Sequence, residues 1–351
     1  MICLRPMSLE KTWGKISPLL SPLGLAYGLC MRLRERAYQR GLFPSFELPA
    51  KVISVGNLSL GGEGKTPVTT SLARYLHQKG YRVAVLTRGY RGKTKDIFLA
   101  SRGKGPLAPA DFLGDEVFLM ASKLPVPIVV GRDRVAAGLV AIREFQAEII
   151  ILDDGFQHLR LKRDLDLVLF ATGKDPFKER VFPAGRLREP LKVLSRAKAF
   201  LITKINQDPQ AGRSLAARLK SFKKPVFEIP FEPRAPYRLE DFGSPSPPSP
   251  SLLGKALAFC GLAQPESFFR TLEALGLEIE RVAFPDHQTY TEQEIEYLLF
   301  QKEKTGAHFL ITTEKDAVKL LSFAQRLKPC LVVPIEAKLD HEFRCFVEEN
   351  L

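Results

Sequence analysis

The stretch VISVGNLSLGGEGKTPVTTSLARYL, residues 52–76, decides the fold. An apolar run from Val52 to Val55 gives way to a glycine-rich turn, then to Lys65-Thr66 and an amphipathic helix. Strand, glycine turn and helix start in that order make a cradle for phosphate, because backbone N–H groups at a helix N-terminus point at the anion. Gly61, Gly62 and Gly64 let the backbone approach closely and adopt φ values that side chains avoid. Ser59 and Glu63 lie in the same loop. Lys65 is placed to reach the β- and γ-phosphates, and the Thr66 hydroxyl to sit on the accompanying Mg²⁺. Pro67 falls in the first helical turn, where a missing N–H costs little. A strict P-loop has glycine five residues before Gly64, and Ser59 stands there instead. A glycine turn without a ligand is the competing reading. The position of GKT between strand and helix favours a nucleoside triphosphate site.

A chain of 351 residues suits two domains, each able to bury a core. The 52 Lys+Arg against 39 Asp+Glu leave a net charge of +13, which calls for an acidic partner such as nucleic acid, an anionic membrane surface or a phosphorylated substrate. No nucleic-acid recognition motif accompanies that charge, and no obligate protein partner is evident. The 5 cysteines form no CxxC pair, so neither a disulfide framework nor a zinc site is expected, and a reducing compartment fits.

Residues 16–31, ISPLLSPLGLAYGLCM, are uncharged; Lys11 and Lys15 precede them and Arg32, Arg34, Arg36 and Arg40 follow. As a helix this segment reaches only about 24 Å, short of the roughly 30 Å hydrocarbon core, and Pro18 and Pro22 oppose one straight span. Leu19, Leu23, Tyr27, Cys30 and Arg34 recur at helical spacing, as in a helix lying in the membrane interface. An N-terminal helix packed on the protein's own core is the alternative.

From residue 50 onward, apolar runs at 52–55, 82–86, 126–130, 148–152, 165–170, 199–203 and 226–231 read as buried strands. The segments 66–79, 114–123, 133–146 and 210–221 between them read as helices. The expected architecture is α/β: a P-loop NTPase-like, doubly wound, mostly parallel sheet, with ligands at the carboxyl ends of its strands. The Pro/Ser stretch at 243–252 reads as a linker. The expected partition is thus a membrane-associated helix over 1–43, a P-loop domain over 44–242 and a smaller α/β domain over 253–351.

Several residues at strand ends carry possible chemistry. Asp153-Asp154-Gly155 follows EIIIL, where Mg²⁺ coordination beside a P-loop needs carboxylates, although Asp-Gly is also a common turn pair. Arg88-Gly89-Tyr90 ends RVAVLT, and Arg132-Asp133-Arg134 follows VPIVVG; both arginine positions suit a phosphate. FQHLRLKRDLD, with His158, reads as a solvated basic face or an anion site. Arg186, Arg188 and Glu189 lie in a Pro/Gly-rich loop. Asp115 opens a helix, where aspartate is most often a cap, and His287 is a single histidine after a strand. Neither of the last two supports catalysis by itself. TKIN at 203–206 approaches the guanine-reading TKxD of GTPases, with Asn206 in place of the aspartate.

Taken together, VGNLSLGGEGKTP, LTRGY, GDE, VGRDR, LDDGFQH, RLREP, FPDHQTY and TTEKDAVK resemble, in order and over most of the chain, the tetraacyldisaccharide 4'-kinases, the lipid A 4'-kinases of Gram-negative bacteria. That family's loop resembles the GGxGKTP form found here, which accommodates Ser59. The resemblance implies transfer of the ATP γ-phosphoryl group to the 4'-hydroxyl of lipid A disaccharide 1-phosphate, by a peripheral or monotopic enzyme at the cytoplasmic face of the inner membrane. It implies that Lys65 and Thr66 hold phosphates and Mg²⁺, that Asp153 and Asp154 stand beside the metal, and that Asp115 and His287 form a dyad activating the sugar hydroxyl. Under the linear partition that dyad spans two domains, so domain closure would assemble it. Arg88, Tyr90 and Arg134 become candidate phosphate contacts, and Arg188 and Glu189 candidate glycolipid contacts. The rival reading is a membrane-associated P-loop ATPase or GTPase switch of the MinD/ParA kind. Leu60 stands where those proteins carry their signature lysine.

Overall fold

The computed structural model describes residues 9–89, 92–93, 96–244 and 253–351. Tyr90 and most of the expected linker lie outside the described residues. Helix α1 (Leu9–Gln39) opens the chain, and strand β1 (Lys51–Asn57) and helix α2 (Lys65–Gln78) follow on either side of the glycine turn. Next come β2 (Val83–Thr87), β3 (Phe98–Arg102), the single turn α3 (Ala110–Leu113), α4 (Asp115–Lys123), β4 (Pro127–Val130) and α5 (Arg134–Phe145). Strands β5 (Ile149–Asp153), β6 (Leu165–Ala171) and β7 (Ala199–Thr203) lead to α6 (Pro209–Leu219) and β8 (Val226–Ile229). The short strands β9 (Phe231–Pro233) and β10 (Tyr237–Arg238) precede β11 (Ala256–Cys260), α7 (Pro265–Ala274), β12 (Ile279–Ala283) and α8 (Glu292–Thr305). The chain ends with β13 (Phe309–Thr313), α9 (Glu314–Leu320), β14 (Cys330–Val333), β15 (Ile335–Ala337) and α10 (His341–Glu349).

These elements form two compact units that interleave along the sequence: Met1–Arg88, Gly131–Phe231 and Ala337–Leu351 in the first, Gly89–Val130 and Glu232–Glu336 in the second. This differs from the expected linear partition, because packing rather than chain order decides membership. The segment 89–130 belongs with the second unit. The C-terminal α10 belongs with the first, where Phe343 is fully buried and meets Phe227 edge-on at 5.2 Å.

In the first unit the strands lie in the order β2-β5-β1-β6-β7-β8, every pair parallel. β1, β5, β6 and β7 are buried almost throughout, which explains their unbroken apolar runs. The register sets Val55 opposite Asp153, so the phosphate-type loop and the Asp153-Asp154 turn leave the same edge of the sheet. Helix α1 runs through Pro18 and Pro22 and lies on the loop around residue 184. Gly24 makes that approach possible: a β-carbon there would come within 2.9 Å of the Val181 carbonyl. Tyr27 packs on Phe182, and Arg34 donates to the Gln157 carbonyl at 3.0 Å. Both were expected on the outward stripe and instead face the protein. Leu19, Leu23, Leu25, Leu29 and Leu33 are exposed.

In the second unit the strand order is β10-β14-β13-β11-β12, parallel except for β10 against β14. Apolar clusters around Phe259 and Phe269 form its core. The antiparallel pair β3–β4 also belongs to this unit, and α4 packs against α9.

Gly56, in β1, sits against the turn that carries Asp154: a β-carbon there would lie 2.5 Å from Cβ of the buried Phe156. Gly56→Ala is therefore expected to lower unfolding free energy by about 1–3 kcal/mol, read from the urea midpoint. An unchanged midpoint would show that strand and turn can separate freely.

Candidate active site

The phosphate-type loop is shaped by contacts within the first unit. Gly64 caps α2 with φ 84°, and a β-carbon there would lie 2.4 Å from the Phe231 ring. Only glycine meets both demands. Glu63 turns inward: its side chain is 2% exposed and accepts from the Ser59 hydroxyl at 2.6 Å, while the Lys174 ammonium stands 3.3 Å away. The Thr203 hydroxyl donates to the Glu63 carbonyl at 2.8 Å. The side chains of Ser59 and Glu63 thus fasten the loop to the sheet, leaving its backbone for an anion. Lys65 and Thr66 are the first two residues of α2 and are half-buried.

Cations and carboxylates converge beside this loop. Lys65 Nζ donates to Asn57 Oδ1 at 3.1 Å and stands 3.5 Å from Asp154 Oδ1. Arg188 Nη1 lies 2.9 Å from each Asp154 oxygen. The Arg188 backbone N–H donates to the Leu58 carbonyl at 2.8 Å, which pins the RLREP loop beside the phosphate-type loop. Burial would raise the Asp154 carboxyl, but the pull of Lys65 and Arg188 outweighs it and holds the group below its ordinary value. Asp154 itself has φ 57°, an unusual left-handed conformation for a non-glycine residue. Asp153, at the end of β5 and 5% exposed, accepts from the Thr69 hydroxyl at 3.2 Å. The Thr66 hydroxyl and these two carboxylates are hard oxygen donors of the kind that Mg²⁺ takes.

Arg134 begins α5 after the Asp133 cap and is 4% exposed. Burial pushes its guanidinium down to about 10, against the attraction of Asp153 and Asp154, with Arg88 adding repulsion. Arg134 therefore belongs to the same electrostatic cluster, while Arg88, directly after β2, is exposed.

Glu189 differs from the expectation of a ligand contact. It is 1% exposed and ion-paired with Arg196, whose other nitrogen pairs with Glu35 of α1 at 3.0 Å. Arg34 of α1 stands 4.0 Å from Glu189 as well. This carboxylate is enclosed among arginines that dock α1. Asn206, the near match to a guanine reader, exchanges two hydrogen bonds with the Phe231 backbone at 2.8 and 3.0 Å. That pairing commits its amide to holding the chain and argues against a guanine-reading role.

The second unit carries Asp115 and His287 together, contrary to the expectation that they lie in different domains. Their proximity needs no domain closure, because both belong to one compact unit. Asp115 is the first residue of α4, and Gly114 occupies the cap position with no side-chain cap bond. The Asp115 carboxylate instead faces His287 Nδ1 at 3.9 Å and Lys319 Nζ at 3.5 Å. Burial would raise its carboxyl, but attraction to His287 and Lys319 prevails and lowers it. His287 has φ 61°, a strained backbone of the kind found at functional positions. Lys315 and Lys319 escaped sequence reasoning. Their signal was an i,i+4 lysine pair in TTEKDAVK, directly after a buried strand.

The model of the family described as "LpxK: Tetraacyldisaccharide-1-P 4'-kinase" matches residues 16–351. A curated tetraacyldisaccharide 4'-kinase of Desulfotalea psychrophila is 42% identical over 312 residues, covering 87% of this chain and 88% of that protein. Its counterpart from Desulfatibacillum aliphaticivorans is 39% identical over 357 residues, covering 97% and 95%. Among solved structures, LpxK from Aquifex aeolicus in complex with ATP superposes with a TM-score of 0.77 at 32% identity, over 95% of this chain and 99% of that one.

His158, in LDDGFQH, supplies a pH test. Burial first, then Arg134 and Arg163, push its imidazole down to about 4. A histidine whose folded pKa is depressed favours the fold when neutral. That stability is complete above the unfolded value near 6.5 and is lost as pH falls from there toward 4. His158→Gln is expected to show a smaller loss of stability between pH 6.5 and 4, measured by chemical denaturation at each pH. Parallel pH curves for the two proteins would contradict the buried neutral ring.

Proposed function

The chain belongs to the tetraacyldisaccharide-1-P 4'-kinase family, and we propose that the Lys65 cluster of the first unit and the Asp115 cluster of the second carry its reaction. It is an ATP-dependent phosphotransferase acting on the 4'-hydroxyl of tetraacyldisaccharide 1-phosphate in lipid A biosynthesis. The observation behind the acceptor side is that Asp115 stands at a helix N-terminus without capping it, with its carboxylate turned to His287 and Lys319. Such a carboxylate stays ionised, the protonation state that a general base requires.

In this reading the backbone of residues 61–64, the Lys65 ammonium and the N-terminus of α2 hold the β- and γ-phosphates. Arg188 and Arg134 add positive charge where the transferring group gathers negative charge. Arg188 serves the phosphates rather than the glycolipid, and Glu189 serves the docking of α1. Arg88 remains a phosphate candidate by its place at the end of β2. Mg²⁺, when bound, would be held by Thr66, Asp153 and Asp154, and supplies charge neutralisation of the γ-phosphoryl group. The hydroxyl proton passes to Asp115, the acceptor oxygen bonds to the γ-phosphorus, and the bond to the β-phosphate oxygen breaks, releasing ADP. His287 orients the carboxylate that accepts the proton.

The outward leucines of α1, with Arg32, Arg36 and Arg40 beyond them, suit a helix resting on an anionic surface. Among the described residues no helix is long and apolar enough to cross a membrane. We place the protein as a peripheral or monotopic enzyme on the cytoplasmic face of the inner membrane, where an acylated sugar phosphate would present its headgroup. Leu19→Ser with Leu23→Ser and Leu29→Ser is expected to reduce sedimentation with phosphatidylglycerol vesicles severalfold. Undiminished binding would mean that another surface holds the membrane.

The decisive assay follows phosphoryl transfer from labelled ATP with Mg²⁺ to tetraacyldisaccharide 1-phosphate in detergent micelles. Label should reach the lipid, and Lys65→Ala should lower kcat by roughly 10²- to 10³-fold. Asp115→Asn and His287→Ala should each lower kcat, with the double variant losing less than the product of the two. ATP hydrolysis without labelled lipid would defeat the assignment.

A further inference from the structure

We propose that Lys315 and Lys319, one turn apart on α9, are positioning residues for the acceptor-activating pair: Lys315 sets the tautomer of His287 and Lys319 anchors the Asp115 carboxylate. The inference rests on the roles given above to Asp115 and His287. Helix α9 starts directly after β13, and the Thr313 side chain caps it by accepting from the Asp316 N–H. That fixed first turn puts residues 315 and 319 on one face.

Lys315 Nζ lies 3.2 Å from His287 Nε2 and donates to Asp286 Oδ1 at 3.1 Å. An ammonium has donors only, so Nε2 must be the accepting nitrogen. A ring that accepts at Nε2 carries its proton on Nδ1, the nitrogen 3.9 Å from Asp115 Oδ2. One ring nitrogen is thus occupied by Lys315 and the other is protonated toward Asp115. Neither is left to take a proton from a hydroxyl, so the carboxylate is the base and the imidazole its orienter.

Lys319 approaches the same Asp115 oxygen as His287. Its side chain is 11% exposed, and Nζ stands 3.5 Å from Asp115 Oδ2 and 3.7 Å from Asp316 Oδ1. Asp316 is fully buried and already accepts from the Thr313 hydroxyl at 2.7 Å, the Gly261 N–H at 3.0 Å and the Tyr290 hydroxyl at 3.1 Å. Those bonds hold Asp316 still, and its charge holds the Lys319 ammonium beside Asp115. A buried ammonium is costly without such partners.

The test uses the full chain labelled with ¹⁵N-histidine. In the unaltered protein His287 should show a protonated Nδ1 and an unprotonated Nε2, and Lys315→Met should move the proton toward Nε2. A proton on Nε2 in the unaltered protein, or no change in Lys315→Met, overturns the tautomer assignment. For Lys319, the Met variant should lose roughly tenfold or more in kcat with an unchanged KM for ATP, and Lys319→Arg should recover most of that loss. Equal losses in the Met and Arg variants overturn the anchoring role. If the unaltered protein transfers no phosphoryl group to the lipid, the kinase reading fails while the tautomer measurement still decides the assignment to Lys315.

Discussion

Everything on the nucleotide side depends on one compensated cluster of charge. Asp154 carries a carboxylate that two cations, Lys65 and Arg188, hold ionised although it is half-buried. Without them burial would favour the neutral acid, and without Asp154 the two cations would repel one another in a confined space. The sheet register that sets Val55 opposite Asp153 brings the cluster together, and the inward-turned Glu63 keeps the loop in the shape that presents Lys65. In the proposed reading the same groups meet a triphosphate with Mg²⁺, whose net charge is again negative. Arg188 is the residue whose meaning changes most with the structure, from a loop arginine to a direct partner of the phosphate-side carboxylate.

The acceptor side solves a different problem. A base for a sugar hydroxyl must stay deprotonated yet remain able to take a proton, and it must point one way. In the proposed role, Lys319 keeps Asp115 deprotonated and His287 orients it, with the ring held by Lys315 from a neighbouring turn of chain. The four side chains come from three segments remote in sequence, all within one packed unit. Preorganisation here is a property of α4 packed on α9, and does not wait for substrate to bring the pair together.

The remaining surface feature, α1, turns Tyr27 and Arg34 toward the protein and leaves Leu19, Leu23, Leu25, Leu29 and Leu33 exposed. Gly24 lets the helix approach the loop near residue 184, while leucines occupy the outward side. Glu189 and Arg196 then clasp Glu35 and Arg34, so a helix with little core of its own is held by a buried ionic cluster. That use of Glu189 is invisible to any local pattern, because RLREP looks equally suited to a ligand.

The sequence by itself determined the parallel α/β architecture, since buried parallel strands must be apolar on both faces and so announce themselves as unbroken runs. It also determined the phosphate-binding loop, because the demands at Gly64 and Lys65 are local: one backbone conformation and one reach of a side chain. The family followed from motifs whose order is itself a linear property. Tertiary structure alone decided which unit each segment joins, sending 89–130 to the second and α10 to the first. It also decided that Asp115 is free of capping, that Asn206 is spent on the Phe231 backbone, and that Lys315 and Lys319 surround the dyad. Each of these depends on a contact between residues far apart in the chain, and periodicity and spacing carry no information about such contacts.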